Sequence, residues 1–170
     1  MSFHALIAVS RQSFANASSQ PFSVSAAAAS AAAEVALAPF ATDTGENPYT
    51  LHQGLQQTMN DLVGIIRTRS ELEESLREIE AFKERARTMV VEGHRQYNPG
   101  WHLAIDLTNM LIVSECIAKA ALEREESRGG HTREDFPGPN EDWGKVNLVL
   151  TLAGGDAPAS IARIRSIESR

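Results

Sequence analysis

Apolar residues recur at spacings of three and four between Asn98 and Glu126. Leu103, Leu107, Met110, Leu111, Ser114, Ile117, Ala118 and Ala121 share one face of a helix. Ile105, Ile112 and Val113 lie off that face, so the helix is apolar around much of its girth and is expected to be central, contacted on more than one side. Asn98-Pro99-Gly100 supplies a turn at its start. The pattern becomes charged at Glu123-Arg124-Glu125-Glu126, and Gly129-Gly130 offers a stop in the left-handed conformation.

Two further helical stripes precede it. Leu51, Leu55, Met59, Leu62, Val63 and Ile66 form the first, with Pro48 in the opening turn, where its missing N–H costs nothing. Gly54 and Gly64 each weaken that helix by about 1 kcal/mol relative to Ala, so tertiary packing must hold it. The second stripe runs through Leu72, Leu76, Ile79, Phe82, Ala86, Met89 and Val90. Ser70-Glu71-Leu72-Glu73 reads as its capping box, with Glu71, Glu73 and Glu74 on the positive end of the helix dipole. Arg77, Lys83, Arg85 and Arg87 interleave with acids on a solvated face, with a Glu73–Arg77 pair at i,i+4; Gly93 is the expected stop.

After the central helix, Glu134 to Gly144 is a loop rich in Pro, Gly and Asp. Val146, Leu148, Leu150 and Leu152 alternate, Ala153-Gly154-Gly155-Asp156 reads as a turn, and Ser160 to Ile167 as a return strand. Such a hairpin is marginal alone and should lie against the bundle or a partner. The expected fold is all-α: a spectrin-repeat-like three-helix bundle over 43–136, with a loop and small C-terminal β-hairpin over 137–170. Residues 1–42 read as a low-complexity Ala/Ser-rich leader, helical over 26–38 and ended by Pro39. A signal peptide fits them poorly: the apolar part, Phe3 to Val9, is short, contains His4 and lacks a basic start.

Composition narrows the function. A formal charge of −6 argues against a general nucleic-acid binder. The single cysteine, Cys116, excludes an internal disulfide or a multi-cysteine metal site, and it reads as a small buried hydrophobe. No apolar run approaches the roughly 20 residues that span a bilayer. His52, His94, His102 and His131 show no ligand spacing, so no metal site is expected. Gly129-Gly130 is not a phosphate loop, and no serine has a nucleophile-elbow context. No catalytic or cofactor-binding residue is assigned.

One cluster carries chemistry. Arg128, His131 and Arg133 follow a helix end, where the negative dipole end favours cations. On one reading they cap the helix and pair with Glu125, Glu126, Glu134 or Asp135. On the other they form, with Phe136 and Trp143, a candidate interface, since Arg and Trp are enriched at interface hot spots.

The same segment carries a family resemblance. E-S-R-G-G-H-T-R-E-D-F-P, Glu126 to Pro137, resembles the E-S-R-G-x-H-x-R-x-D-x-P segment in the C-terminal domain of succinate dehydrogenase and fumarate reductase flavoprotein subunits. Gly45 to Arg67 and Val91 to Ala104 are similar to the same family, in the form found in high-GC Gram-positive (actinobacterial) bacteria. The resemblance covers roughly residues 33–170. It implies succinate–fumarate oxidoreduction coupled to quinone in respiration, FAD in the full-length subunit, and as partners a flavin-binding domain and an iron–sulfur subunit. It also implies a cytoplasmic place, peripheral to the inner membrane. The family's dinucleotide fold, with its Gly-rich strand–turn–helix, has no counterpart here, so the chain is expected to be a fragment that binds no cofactor itself and acts as a structural and interaction module. L-aspartate oxidase, a flavoenzyme with a related helical domain, and a free-standing helical adaptor are the rival readings.

Overall fold

In a computed structural model, which describes residues 25–41, 43–152 and 161–168, four helices are joined by short connections and followed by a hairpin. They are α1 (Ala26–Leu37), α2 (Pro48–Leu62), α3 (Arg69–Ala86) and α4 (Pro99–Glu123). The strands are β1 (Ile66–Arg67), β2 (Thr132–Arg133), β3 (Val146–Leu152) and β4 (Ile161–Glu168). Helices α2, α3 and α4 form the expected bundle, and β3 and β4 the expected antiparallel hairpin, with Leu150 opposite Ile164. The expected leader before Ser25 and the turn at Ala153–Asp156 lie outside the described residues.

Each helix starts on a side-chain cap. Asn47 Oδ1 accepts from Tyr49 N at 2.9 Å, and Asn98 Oδ1 from Trp101 N at 3.0 Å, with Pro48 and Pro99 just inside α2 and α4. The α3 capping box lies two residues before the expected one. Thr68 Oγ1 accepts from Glu71 N, and Glu71 Oε2 accepts from Thr68 N at 2.8 Å. Strand β1 decides this. Ile66 and Arg67 pair in parallel with Thr132 and Arg133, which holds the chain extended through Thr68 and lets the helix begin at Arg69. Ser70 is therefore inside the helix, Glu73 meets Arg69 at 4.0 Å, and Arg77 bonds Glu74 rather than Glu73. The same strand takes Ile66 out of the α2 stripe and leaves it 61% exposed.

The core lies where the three stripes meet: Leu51 and Leu55 from α2, Leu72, Ile79 and Phe82 from α3, Leu107, Leu111 and Ala118 from α4. Gly54 makes this packing close, because a Cβ there would stand 2.8 Å from the Phe82 ring; a helix-weakening residue is what admits the aromatic. Helix α3 ends at Ala86, well before Gly93, because the next residues find other backbone partners. Glu46 N donates to Thr88 O and Val90 N to Glu46 O, both at 2.9 Å, and Val91 N to Pro39 O at 2.9 Å. Gly45 permits this crossing: a Cβ would lie 2.1 Å from the Thr88 carbonyl oxygen.

Helix α4 touches α2, α3 and both hairpin strands. Its buried face is turned from the expected one. Gly100, Ala104, Leu107, Leu111, Ser114, Glu115, Ala118 and Ala121 are inside, whereas Met110 and Ile117 are 37% and 45% exposed. Glu115 accounts for part of the turn. It is a buried carboxylate on the inner face, bonded by Lys83 at 2.7 Å and Lys119 at 2.5 Å. Burial alone would raise its carboxyl; the two lysines outweigh that and hold it below the ordinary value. Cys116 is only partly buried, and burial together with the Glu115 charge pushes its thiol up.

Candidate functional site

A helix leaves its last four carbonyls without partners. At the end of α4 the carbonyls of Ala121, Leu122 and the C-cap Arg124 are met by the side chains of Arg133 and His131, further along the chain. Arg124 leaves the helix in extended conformation, five residues before Gly129. Gly129 (φ +61) then helps the chain turn back, with Arg128 and His131 bridged across it, so that β2 runs beside β1 under the helix end.

Arg133 is the strut of this turn. Its side chain is 0% exposed, and Nη1 donates to the carbonyls of Ala121 (2.8 Å), Leu122 (3.0 Å) and Arg124 (3.4 Å). Its other edge forms a fork with Asp135, Nε–Oδ1 2.8 Å and Nη2–Oδ2 2.6 Å. That bond, against the opposing effect of burial, holds the Asp135 carboxyl below its ordinary value. His131, 7% exposed, bonds the Arg124 carbonyl through Nε2 at 3.1 Å and Arg67 Nη1 through Nδ1 at 2.9 Å. Ser127 Oγ accepts from Arg133 N at 2.8 Å and lies 2.9 Å from the Phe136 carbonyl, to which it donates.

A second centre is Glu126, whose side chain is also 0% exposed. Arg124 Nη1 reaches it at 2.5 Å, Arg128 Nε at 3.0 Å and Asn140 N at 2.9 Å. Burial would raise this carboxyl; the bonds from Arg128, Asn140 and Arg124 prevail and keep it low. Arg124 also holds the Trp143 and Val146 carbonyls, and its guanidinium lies 5.2 Å from the centre of the Trp143 ring. Arg133 stands likewise 4.9 Å from the Phe136 ring.

The structure thus brings all five candidate residues into one segment, at different depths. His131 and Arg133 are inside it, holding the helix end. Phe136 and Trp143 fold back, half-buried, under arginines. The Arg128 side chain, at 42% exposure, reaches furthest into solvent while its charge is met by Glu126. Arg67 and Arg124 complete the cluster and have no part in the sequence reading of it, whereas Glu126 and Asp135, two of the acids expected to pair with these cations, bond Arg128 and Arg133. Glu126 offered a signal, an acid flanked by Arg124 and Arg128, but nothing local pointed to Arg67, 64 positions from His131.

Away from this segment, α4 keeps an outward side with little charge: Ile105, Met110, Val113 and Ile117 are 37–48% exposed. Among the described residues no three His, Cys, Asp or Glu side chains converge to hold a metal ion, and no helix is long and apolar enough to cross a membrane. The described strands form a two-residue parallel pair and an antiparallel hairpin, and no Gly-rich strand–turn–helix of the dinucleotide-binding kind occurs among the described residues.

The comparisons with known proteins agree with this architecture. The family model for the fumarate reductase flavoprotein C-terminus matches residues 52–163. Mycobacterium smegmatis Sdh1, solved in complex with UQ1, superposes with a TM-score of 0.79 at 48% identity, over 92% of this chain and 26% of that one. The fumarate reductase flavoprotein subunit of Mycobacterium tuberculosis is 31% identical over 126 residues, 70% of this chain and 22% of its own length. L-aspartate oxidase of Acinetobacter baylyi is 37% identical over 110 residues, 64% of this chain and 19% of its own. The chain therefore spans about a fifth of the length of these curated relatives. The chain belongs to the fumarate reductase flavoprotein C-terminal family and corresponds to the C-terminal domain of a succinate dehydrogenase or fumarate reductase flavoprotein subunit.

Proposed function

We propose that this chain is the docking module of a flavoprotein that interconverts succinate and fumarate, and that it contributes structure and contacts rather than reacting groups. The observation that carries this reading is the outward side of α4. A 25-residue helix at the centre of a domain leaves Ile105, Met110, Val113 and Ile117 in solvent. A patch of that kind on a soluble surface marks an interface. Its occupant, on this reading, is the flavin-binding part of the same subunit, with an iron–sulfur subunit adjacent. Arg128, Phe136 and Trp143 serve as a polar and aromatic rim, and His131 and Arg133 fix that rim from behind. FAD would be held by the flavin-binding part, and the chain would sit at the cytoplasmic side of the inner membrane through its partner subunits.

The test is binding of a separately expressed flavin-binding domain. It should associate with this chain, and Val113→Asp with Ile117→Asp should weaken association at least tenfold without lowering the melting temperature. No association with the unmodified chain would overturn the reading in favour of a free-standing adaptor. A second reading rests on the 37% identity to L-aspartate oxidase. The assembled subunit separates the two: turnover with succinate and none with aspartate excludes it.

A further inference from the structure

The turn after α4 is tied to the α2–α3 linker by one side-chain bond whose chemistry is fixed at both ends. Arg67 Nη1 lies 2.9 Å from His131 Nδ1, and a guanidinium can only donate, so Nδ1 is a bare acceptor. His131 Nε2 lies 3.1 Å from the Arg124 carbonyl, which can only accept, so Nε2 carries the hydrogen. Both contacts specify the same neutral tautomer. We propose that His131 is a proton-sensitive latch between these two loops, closed while the ring is neutral and released when Nδ1 takes a second proton.

Protonation would turn the Arg67 contact into two N–H donors, and two cations, facing each other. The charged groups around the ring offer no relief. Arg67 faces it from the linker, Arg124 from the end of α4 and Arg133 from β2. The nearby carboxylates Glu126, Asp135 and Glu125 are already engaged, by Arg124 and Arg128, by Arg133 and by Arg69; Glu134 is exposed. Burial, and then the charges of the three arginines, push the ring below its ordinary value of 6.5; the bond to the Arg124 carbonyl only partly opposes this. Between 6.5 and that lowered value the unfolded chain holds the extra proton and the folded one does not. Stability is therefore full above about 6.5 and falls as the pH drops through this window.

The latch sits among few other ties between the two loops; just past the linker, Arg69 N donates to Asp135 Oδ2 at 3.2 Å and Arg69 Nη2 meets Glu125 Oε1 at 2.5 Å. Strands β1 and β2 pair over two residues each, and Glu134 N donates to Arg67 O at 2.9 Å. Arg67 is anchored on its own side by Nε to Gly64 O at 2.5 Å. Releasing His131 frees the Nη1 edge of Arg67, with Nε still held by Gly64, and loosens the strand pair that covers the Glu134 amide.

The experiment is nitrogen-resolved NMR of the histidine rings in the full 170-residue chain from pH 8 to pH 4.5, with hydrogen-exchange protection of the Glu134 amide followed in parallel. His131 should show the Nε2–H tautomer and titrate below a blocked histidine in the same buffer. Protection of Glu134 should fall at least tenfold in step. In His131→Gln, which keeps a donor and an acceptor and does not titrate, protection should stay flat through the same range. A Nδ1–H tautomer, titration at or above the blocked histidine, or Glu134 protection that ignores protonation of His131 would each overturn the latch. Should the Gln variant fail to fold, the unmodified chain decides alone.

Discussion

Two regions of this molecule are held together by different physics. The α2–α3–α4 core is apolar and periodic: Leu51, Leu72, Ile79 and Leu107 are each within 1% of complete burial and rely on excluding water. The segment from Arg124 to Trp143 has almost no apolar period. It is organised by Arg133 and Glu126, two charged side chains as deeply buried as any leucine in the core. Burial of apolar groups tolerates small shifts, because the interaction is non-directional. Burial of charge does not, because each donor must find its acceptor. The difference teaches that this domain is built around one helix whose sides are satisfied by oil and whose end is satisfied by arginine.

The comparison is most sharply tested at its two centres. Arg133→Ala leaves the carbonyls of Ala121, Leu122 and Arg124 and the Asp135 carboxylate without their donor, and should cost about 3–5 kcal/mol. That is a large part of the roughly 5–15 kcal/mol available to a domain. Arg133→Lys keeps the charge but not the planar fork, so it should recover less than half. Leu107→Ala, at 0% exposure in the core, should cost about 2–5 kcal/mol through lost burial and a cavity. The two losses should differ in their response to pH: the cavity variant should keep the parent's acid profile, and the Arg133 variant should not. Urea unfolding of each at pH 7 and pH 4.5 measures this, and parallel profiles would mean the helix end is held by packing after all.

Glu126→Gln is the next effect in size. The amide retains one acceptor but loses the charge that Arg124 and Arg128 share, so a cost of about 1–3 kcal/mol is expected. Its sign with pH follows from the folded carboxyl lying below the ordinary 4.5. The stabilisation is present above about 4.5 and is lost as the pH falls toward the folded value. The Gln variant should therefore melt below the parent at pH 7 and approach it in acid. A gap that stays constant with pH would show that Glu126 contributes shape rather than charge.

How far each region could be read in the sequence follows from the same contrast. Spacings of three and four placed the bundle, and alternation placed the hairpin, because both patterns are local and report burial directly. The α4 face came out turned, since Glu115 looks like a surface acid until Lys83 is known to arrive from α3. In the segment after α4, residue types pointed to Arg128, His131, Arg133, Phe136 and Trp143. Depth was not legible, because an arginine in solvent and an arginine capping a helix are the same letter. The partners that decide it, Arg67 and the α4 carbonyls, are distant in sequence or carry no side-chain signal.

The smallest effect tests where one region touches the other. Had α3 been free to choose its own start, Ser70 with Glu73 would satisfy the capping rule as well as Thr68 with Glu71. Pairing of Arg67 with Arg133 settles the choice, because it extends the chain up to Thr68 and puts Ser70 inside the first turn. Thr68→Ala should then cost about 0.5–2 kcal/mol, the usual loss for an N-cap hydroxyl. Ser70→Ala should stay within about 0.5 kcal/mol, because the site is exposed and its hydroxyl meets the Thr68 hydroxyl at 3.1 Å without capping a backbone N–H. Thermal melts of the two single variants give the order directly. The refinement is to repeat them in the Arg133→Ala background, provided that variant still melts cooperatively. Loss of β2 should release β1, let the helix start slip toward Ser70, and shrink the gap between the two caps. A gap that survives unchanged would show that Thr68 is chosen by its own loop and that the arginine-held segment has no say in where α3 begins.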